Sequence, residues 1–165
     1  MTSLAFTVYG AAEAKGSMRA VQVRGMRFPV VTDSNRNVKS WSQLVAQGAS
    51  AALNALPAAD RAMLPHGVRL TLAFYLPRPK SLHKRGVFVP HCVAPDVDKL
   101  ARAVLDALST VLYRDDRQIT ELIAGKYYAE VDGAARIDVR VEAAPGQSLP
   151  APQPADRPLF ELLHV

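Results

Sequence analysis

The stretch RQITELIAGKYYAEVDGAARIDVRVE, residues 117–142, carries two β-type runs separated by the turn-forming pair Asp132-Gly133. Its second half alternates, with Ala135, Ile137, Val139 and Val141 on one side and Arg136, Asp138, Arg140 and Glu142 on the other. That period of two describes a strand with one buried face. The two runs, 117–129 and 134–142, are expected to form a hairpin.

Working outward, VRLTLAFY at 68–75 alternates the same way, and LAFTVY at 4–9 is a further strand candidate ending at Gly10. VQVRGMRFPV, 21–30, suggests a second hairpin around Arg24-Gly25. A helix fits 38–56, where Val38, Trp41, Leu44, Val45, Gly48, Ala49, Ala52, Leu53 and Leu56 recur at spacings of three and four. Asn37 is placed to cap it, and Pro57 to close it. A second helix fits 98–111 and buries Leu100, Val104, Leu108 and Val111. Residues 77–93, with three prolines and four Lys or Arg, read as a loop. Strands outnumber helices, so the expected fold is α+β: a mixed or largely antiparallel sheet with hairpins, covered by two main helices. Residues 1–144 form the expected domain, and 145–165 a Pro-rich linker and tail in which LFELLHV is a candidate latch.

Composition narrows the class. About half of the 165 residues are hydrophobic (49%), enough for a core. No apolar run approaches the roughly 18 residues of a membrane span, and the start of the chain lacks the pattern of a secretory signal. Cys92 is the sole cysteine, so no internal disulfide can form; we read a core residue there and a soluble, cytoplasmic protein. The net charge of +5 is uneven: residues 1–95 carry 12 Lys+Arg against 3 Asp+Glu, and residues 96–165 carry 8 against 12. A basic half beside an acidic cluster suits a protein that holds a polyanion and does chemistry on it.

The acids gather in APDVDKLARAVLDALSTVLYRDDRQI, residues 94–119. Pro95 disfavours helical geometry at Ala94 and suits an extended entry, which puts Asp98 at or beside the helix start. Asp96, two residues earlier in extended chain, lies on the same side, roughly 6–7 Å away at Cα. Two carboxylates that close repel unless a cation or proton sits between them. A hard ion such as Mg²⁺, which often takes only one or two carboxylates, is the natural occupant. Asp115 or Asp116 can join them either by folding back within the chain or from a neighbouring copy in a dimer. The plainer readings are a capping Asp98, a solvated ladder of Asp98, Arg102 and Asp106 at i, i+4, i+8, and an ordinary polar turn at YRDDRQ. An EF-hand is excluded, because Leu100 and Ala101 stand where that loop needs a ligand and a glycine.

Taken whole, PDVDKLARAVLDAL followed by YRDDRQI resembles the RusA family of Holliday-junction resolvases, whose signature runs roughly P-D-x-D-N-L-x-K-x-x-x-D-A-L, a gap, then D-D-x-Q-[IV]. Weaker likeness extends to VYGAAEAKGSMR, FYLPRPKSLHKR and KYY. The resemblance implies a small homodimeric, Mg²⁺-dependent endonuclease (Mn²⁺ being an acceptable substitute) that nicks four-way DNA junctions in recombination and repair. It implies that Asp96, Asp98 and Asp116 are catalytic metal ligands, with Asp115 standing behind them, and that Arg102 takes the place of a catalytic lysine. Three family positions differ here: Lys99 replaces the usual Asn, Ala94 a common lysine, and Arg102 the lysine, so Lys99 is a candidate source of the missing ammonium. Phosphodiester hydrolysis independently needs a metal-activated water, a Lewis acid and a cation for developing charge, which Lys99 or Arg102 can provide. DNA contacts are expected from Lys15, Arg19, Arg78, Lys80, Lys84 and Arg85 in the basic half. Lys126, which resembles a family lysine, is assigned to DNA because straight strand would place it about 33 Å from Asp116. Three rivals stand beside this reading: a junction-binding module without chemistry, a nuclease for other branched DNA, and a structural protein with an acidic turn.

Overall fold

The computed structural model describes residues 3–16, 18–22, 24–28, 30–83 and 89–146. Six strands and two helices follow in the order β1 (Ser3–Tyr9), β2 (Met18–Val21), β3 (Val30–Asp33), α1 (Val38–Asn54), β4 (Val68–Leu76), α2 (Val97–Leu108), β5 (Ile119–Tyr128) and β6 (Arg136–Ala143). Four strands make the main sheet in the order β1-β6-β4-β5, while β2 and β3 pair as a separate antiparallel hairpin. Within the main sheet β6 runs antiparallel to β1 and β4, and β4 runs parallel to β5. The fold is α+β with a mixed sheet.

Both alternating strands bury the face expected of them. Val68, Leu70, Leu72, Phe74 and Leu76 of β4 and Ile137, Val139 and Val141 of β6 meet the helices in one core with Leu100, Val104, Leu108 and Trp41. What differs is who pairs with whom. The chain does turn at Asp132, whose φ is +62°, and Gly133 donates its N–H to the Glu130 carbonyl at 2.9 Å. Residues 129–135 nevertheless step across the end of β4, and β6 inserts between β4 and β1 instead of pairing with β5. Burial explains the order. Three β6 side chains are sealed from water, which requires neighbours on both sides, whereas β5 keeps Leu122, Ile123 and Tyr127 exposed and accordingly stands at an edge.

The parallel pairing of β4 and β5 needs a crossover, and α2 supplies it. Helix α2 therefore runs against the strand direction: its first turn lies at the end where β4 and β5 finish, its last turn where they begin. It ends at Leu108, three residues sooner than the periodicity suggests. Thr110 adopts a positive φ of 67° and donates its N–H to the Tyr113 carbonyl at 2.7 Å, so Leu112 and Tyr113 enter the core from a turn. In α1 the buried face is narrower than the sequence stripe, with Leu44 exposed. Asn37 makes no side-chain cap; its own N–H is received by the Asn35 side chain at 3.0 Å, and Asn35 also donates to the Ala14 carbonyl at 2.9 Å. Gly48 permits the close seating of α1 on β1, because a Cβ there would come within 2.7 Å of a Val8 methyl. Among the described residues, no helix is long and apolar enough to cross a membrane. The tail latch lies outside the described residues.

Candidate active site

Asp96 is the residue that opens α2. Its backbone is extended, at φ −71° and ψ 139°, and its carbonyl takes the first helical bond, from Leu100 N–H at 3.1 Å. Its carboxylate caps nothing. It instead faces the Lys99 ammonium at 2.8 Å, one turn on. That hydrogen bond first, and the same positive charge second, hold the Asp96 carboxyl below the ordinary carboxylate range and raise the Lys99 ammonium. Asp98 stands exposed in the first turn, where the partial positive charge of the helix start favours an anion. Neither acid serves the fold by capping. The ladder with Asp106 does not form either, since Asp106 is ion-paired with Lys15, whose N–H also donates to the Lys99 carbonyl at 3.1 Å. Arg102 is exposed on the same helix.

Lys126 secures the approach to Asp96. From the end of β5 its ammonium donates to the carbonyls of Val93 at 2.7 Å and Pro95 at 2.8 Å, and its charge further lowers the Asp96 carboxyl. The extended-strand estimate correctly separates Lys126 from Asp116, but the acid waiting at the far end is Asp96. In the same loop His91 is buried, its ring centroid 4.3 Å from that of Tyr128, and burial pushes its pKa down. Cys92 is exposed, not a core residue: with His91 turned inward, the next side chain in extended backbone points away. A cavity of about 280 Å³ lies here, lined by Arg78, His91, Lys126 and Tyr128 among others.

The second acidic pair sits at the other end of the domain. Asp115 caps the short 3₁₀ turn Asp116–Gln118 through Arg117 N–H, and its two oxygens take Arg117 Nε and Nη2 at 2.9 and 3.0 Å. The Arg117 side chain, followed by the Arg117 N–H, lowers Asp115 to about 2. Asp115 thus has a structural task, while Asp116 is exposed. Gln118, to which the sequence reading gave no role, organises the turn. Its Oε1 accepts from Arg114 N–H at 2.7 Å and Asp115 N–H at 3.2 Å. Its Nε2 donates to the carbonyls of Leu64 at 3.0 Å and His66 at 3.1 Å. A carboxylate followed three residues later by Gln is the signature of a reciprocal cap, and that signal was present in DDRQ. Gln118→Ala is expected to leave backbone groups near the turn without their partners, at about 1–3 kcal/mol. The turn bearing Asp116 should loosen and the melting temperature fall; differential scanning fluorimetry checks this.

The two acidic ends are well apart. Helix α2 has 12 residues, about 18 Å of rise, with Asp96 and Asp98 at its start and Asp116 past its finish. Ile119 pairs with Val68 where the strands begin, and Tyr128 with Leu76 where they end. Among the described residues, no three His, Cys, Asp or Glu side chains gather closely enough to hold an ion. Of the two routes open to the sequence, folding back within one chain is the one this geometry lacks. Among the other basic candidates, Lys80 is exposed at the start of a 3₁₀ turn and Arg78 is half-buried. The backbone of Arg19 lies in β2. Lys84 and Arg85 lie outside the described residues.

A family model described as endodeoxyribonuclease RusA matches residues 12–142. The chain is also 30% identical over 142 residues to a curated protein of Bacillus subtilis (strain 168) described as uncharacterized protein YqaN, an alignment covering 79% of this chain and 91% of that one.

Proposed function

This chain belongs to the RusA endodeoxyribonuclease family, and from that premise we propose that it is a homodimeric, Mg²⁺-dependent endonuclease that resolves four-way DNA junctions by paired, symmetric nicks. The observation that carries the reading, beside family membership, is that Asp96 and Asp98, two residues apart in sequence, are both exposed at the start of α2, and that Asp96 caps nothing. Carboxylates exposed at a helix start, one of them facing only a solvent-accessible ammonium, are suited to an external cation.

The donor set fits the ion. Mg²⁺ is commonly bound by one or two carboxylates, water and the substrate's own phosphates, and Asp96 with Asp98 can supply the first part. When bound, the ion supplies a Lewis acid and an acidified water. Asp116 of a second copy completes the acidic set, since Asp116 of the same chain lies beyond the far end of α2. The chain's remaining duties are positional and electrostatic. Lys126 fixes the carbonyls just before Asp96 and so the direction from which the carboxylates approach. Arg102, one turn after Asp98, presents a guanidinium to charge developing on the phosphoryl oxygens, and Lys99, which faces Asp96 at 2.8 Å, would be the second such cation. A two-fold dimer carries two equivalent sites, which matches the two opposed strands cut in a two-fold-symmetric junction.

One rival has an observation of its own. Lys99 sets its ammonium against Asp96 at 2.8 Å, so a cation of the chain itself could stand in for the metal and leave a junction-binding module without chemistry. One experiment separates them: a synthetic four-way junction and its linear duplex, each with Mg²⁺ or EDTA. Symmetric nicks confined to the junction and requiring Mg²⁺ support the resolvase. Tight junction binding with no nick selects the module, and nicking of flaps or forks in preference to junctions selects another branched substrate.

A further inference from the structure

We propose that the cavity beside Lys126 is a seat for one unstacked nucleobase of the DNA, read by His91 Nδ1. The seat deepens the nuclease reading above, on which it rests, by making cutting depend on base identity. Among the described residues His91 is the one polar or charged side chain that is buried, at 8% exposure. Its Nδ1 has no hydrogen-bond partner among them. Leaving a buried polar atom unpaired is costly, so such an atom in a native structure calls for an explanation. Here the ring lines a cavity of about 280 Å³, and Nδ1 is a polar atom that a ligand can satisfy.

The walls select the ligand. His91 and Tyr128 bring their rings to 4.3 Å between centroids, and Val89 and Pro90 add apolar surface. Such a lining takes a flat aromatic body with a polar edge. The volume falls just below the roughly 300 Å³ at which pockets for drug-sized ligands begin, which suits one base without its sugar and phosphate. A phosphate is the poorer occupant. The ammonium of Lys126 is already committed to the carbonyls of Val93 and Pro95, and the lining is largely apolar. Arg78 also contributes to the wall, and the donors of a guanidinium serve a base edge as well as a phosphate.

Proteins that act on nucleic acid read an extruded base by hydrogen bonds to its edge and by stacking on aromatic side chains, and extrusion costs least where pairing is already disturbed. The exchange point of a four-way junction is such a place, because stacking is interrupted where strands change partners. The seat is also tied to the chemistry. Lys126 forms part of its wall and holds the carbonyl of Pro95, the residue before Asp96. A base lodged there stands in a fixed relation to the acids proposed to hold the metal, so its identity is expressed in the nicking rate.

Cys92 supplies the probe, since it is the sole cysteine, exposed, and part of the same wall. With wild-type protein in EDTA, alkylation of Cys92 should be lost on saturation with a four-way junction and persist with the matching linear duplex. Nicking rates are then compared across junctions that differ only in the base pair at the exchange point. The expected result is a preference of about tenfold for one base, the worth of one hydrogen bond to a buried group. His91→Phe, a flat ring without the nitrogen, should flatten that preference and leave junction Kd in place. Melting curves establish that the variant folds, and the Cys92 protection is read on unaltered protein. Cys92 that reacts equally fast with and without bound junction overturns the site, as does a wild type indifferent to the base or a preference unchanged in folded His91→Phe. A rate lowered by the same factor on every junction makes His91 a prop for the loop before Asp96 and also overturns it. Protein that nicks junctions but fails these tests loses the base seat and keeps the nuclease. Protein that binds without nicking is judged on Cys92 alone, and protein that binds no junction loses both.

Discussion

Asp98→Asn is expected to abolish junction nicking, by about 10³-fold or more, while leaving junction binding and the fold intact. The substitution is isosteric and removes only charge. Asp98 is exposed, and its one general service to the fold is a favourable interaction with the start of α2, about 0.3–1 kcal/mol, so the melting temperature should move by no more than a few degrees. A rate loss of that size corresponds to about 4 kcal/mol of transition-state stabilisation, an amount that a solvated surface charge does not supply and a carboxylate holding a divalent ion does. Binding should hold or tighten slightly, because a negative charge facing the phosphates has gone. Asp96→Asn should match it in rate loss, with one addition: it frees the Lys99 ammonium from its 2.8 Å partner and so should raise junction affinity more than Asp98→Asn does. Nicking rates, Kd at two salt concentrations and melting curves on both variants check this. Unimpaired nicking would remove both acids from the site, and loss of folding would return them to a structural role.

How much of this could be read from residues alone divides along a physical line. The buried faces of β4 and β6 were legible because a strand with one wet face must alternate, and residues 68–75 and 135–141 do so. Their neighbours were not legible. Pairing partners are chosen by burial across the whole sheet, and nothing local to Asp132-Gly133 reveals that the chain will step over β4 and enter beside β1. The helix of the acidic stretch was legible, but not its end: Val111 keeps the apolar rhythm while Thr110, at a positive φ, has already left the helix. Asp96 and Asp98 were legible as two acids at a helix start because Pro95 imposes an extended entry, but the spacing of an extended chain was not met, since Val97 and Asp98 already belong to α2. The place of Asp116 was not, since the reach of the intervening residues permitted a return that the parallel β4–β5 pairing forbids. His91 and Cys92 show the same limit at smaller scale. Either could face inward, and the ring of Tyr128 settles which one does.

Lys126→Met is expected to cut the nicking rate by about 10²-fold with little change in junction affinity, although a basic residue on a DNA-acting protein invites the opposite expectation. If Lys126 contacted phosphate, its loss would weaken binding across sequences and reduce the salt slope by about one ion, with the rate at saturating DNA preserved. Its ammonium is instead directed at the carbonyls of Val93 and Pro95. Methionine keeps most of the apolar stem and removes both hydrogen bonds, so the loop ahead of Asp96 loses its anchor to β5. Misplacement of a reacting group by about 1 Å can cost about 10² in rate, and the residue that shifts here is a proposed metal ligand. Lys126 is thus a positioning residue, and its signature is a split: kcat falls, the Mg²⁺ concentration needed for half-maximal rate rises, and junction Kd with its salt dependence stays put. Removing the ammonium also removes one of the charges that depress the Asp96 carboxyl, so the acid limb of the pH–rate profile should move to higher pH. A phosphate contact would not raise the metal requirement, which makes a Mg²⁺ titration of the variant the decisive reading. A weakened, salt-sensitive Kd at unchanged kcat would return Lys126 to the DNA surface and leave the fixing of Asp96 to the loop itself.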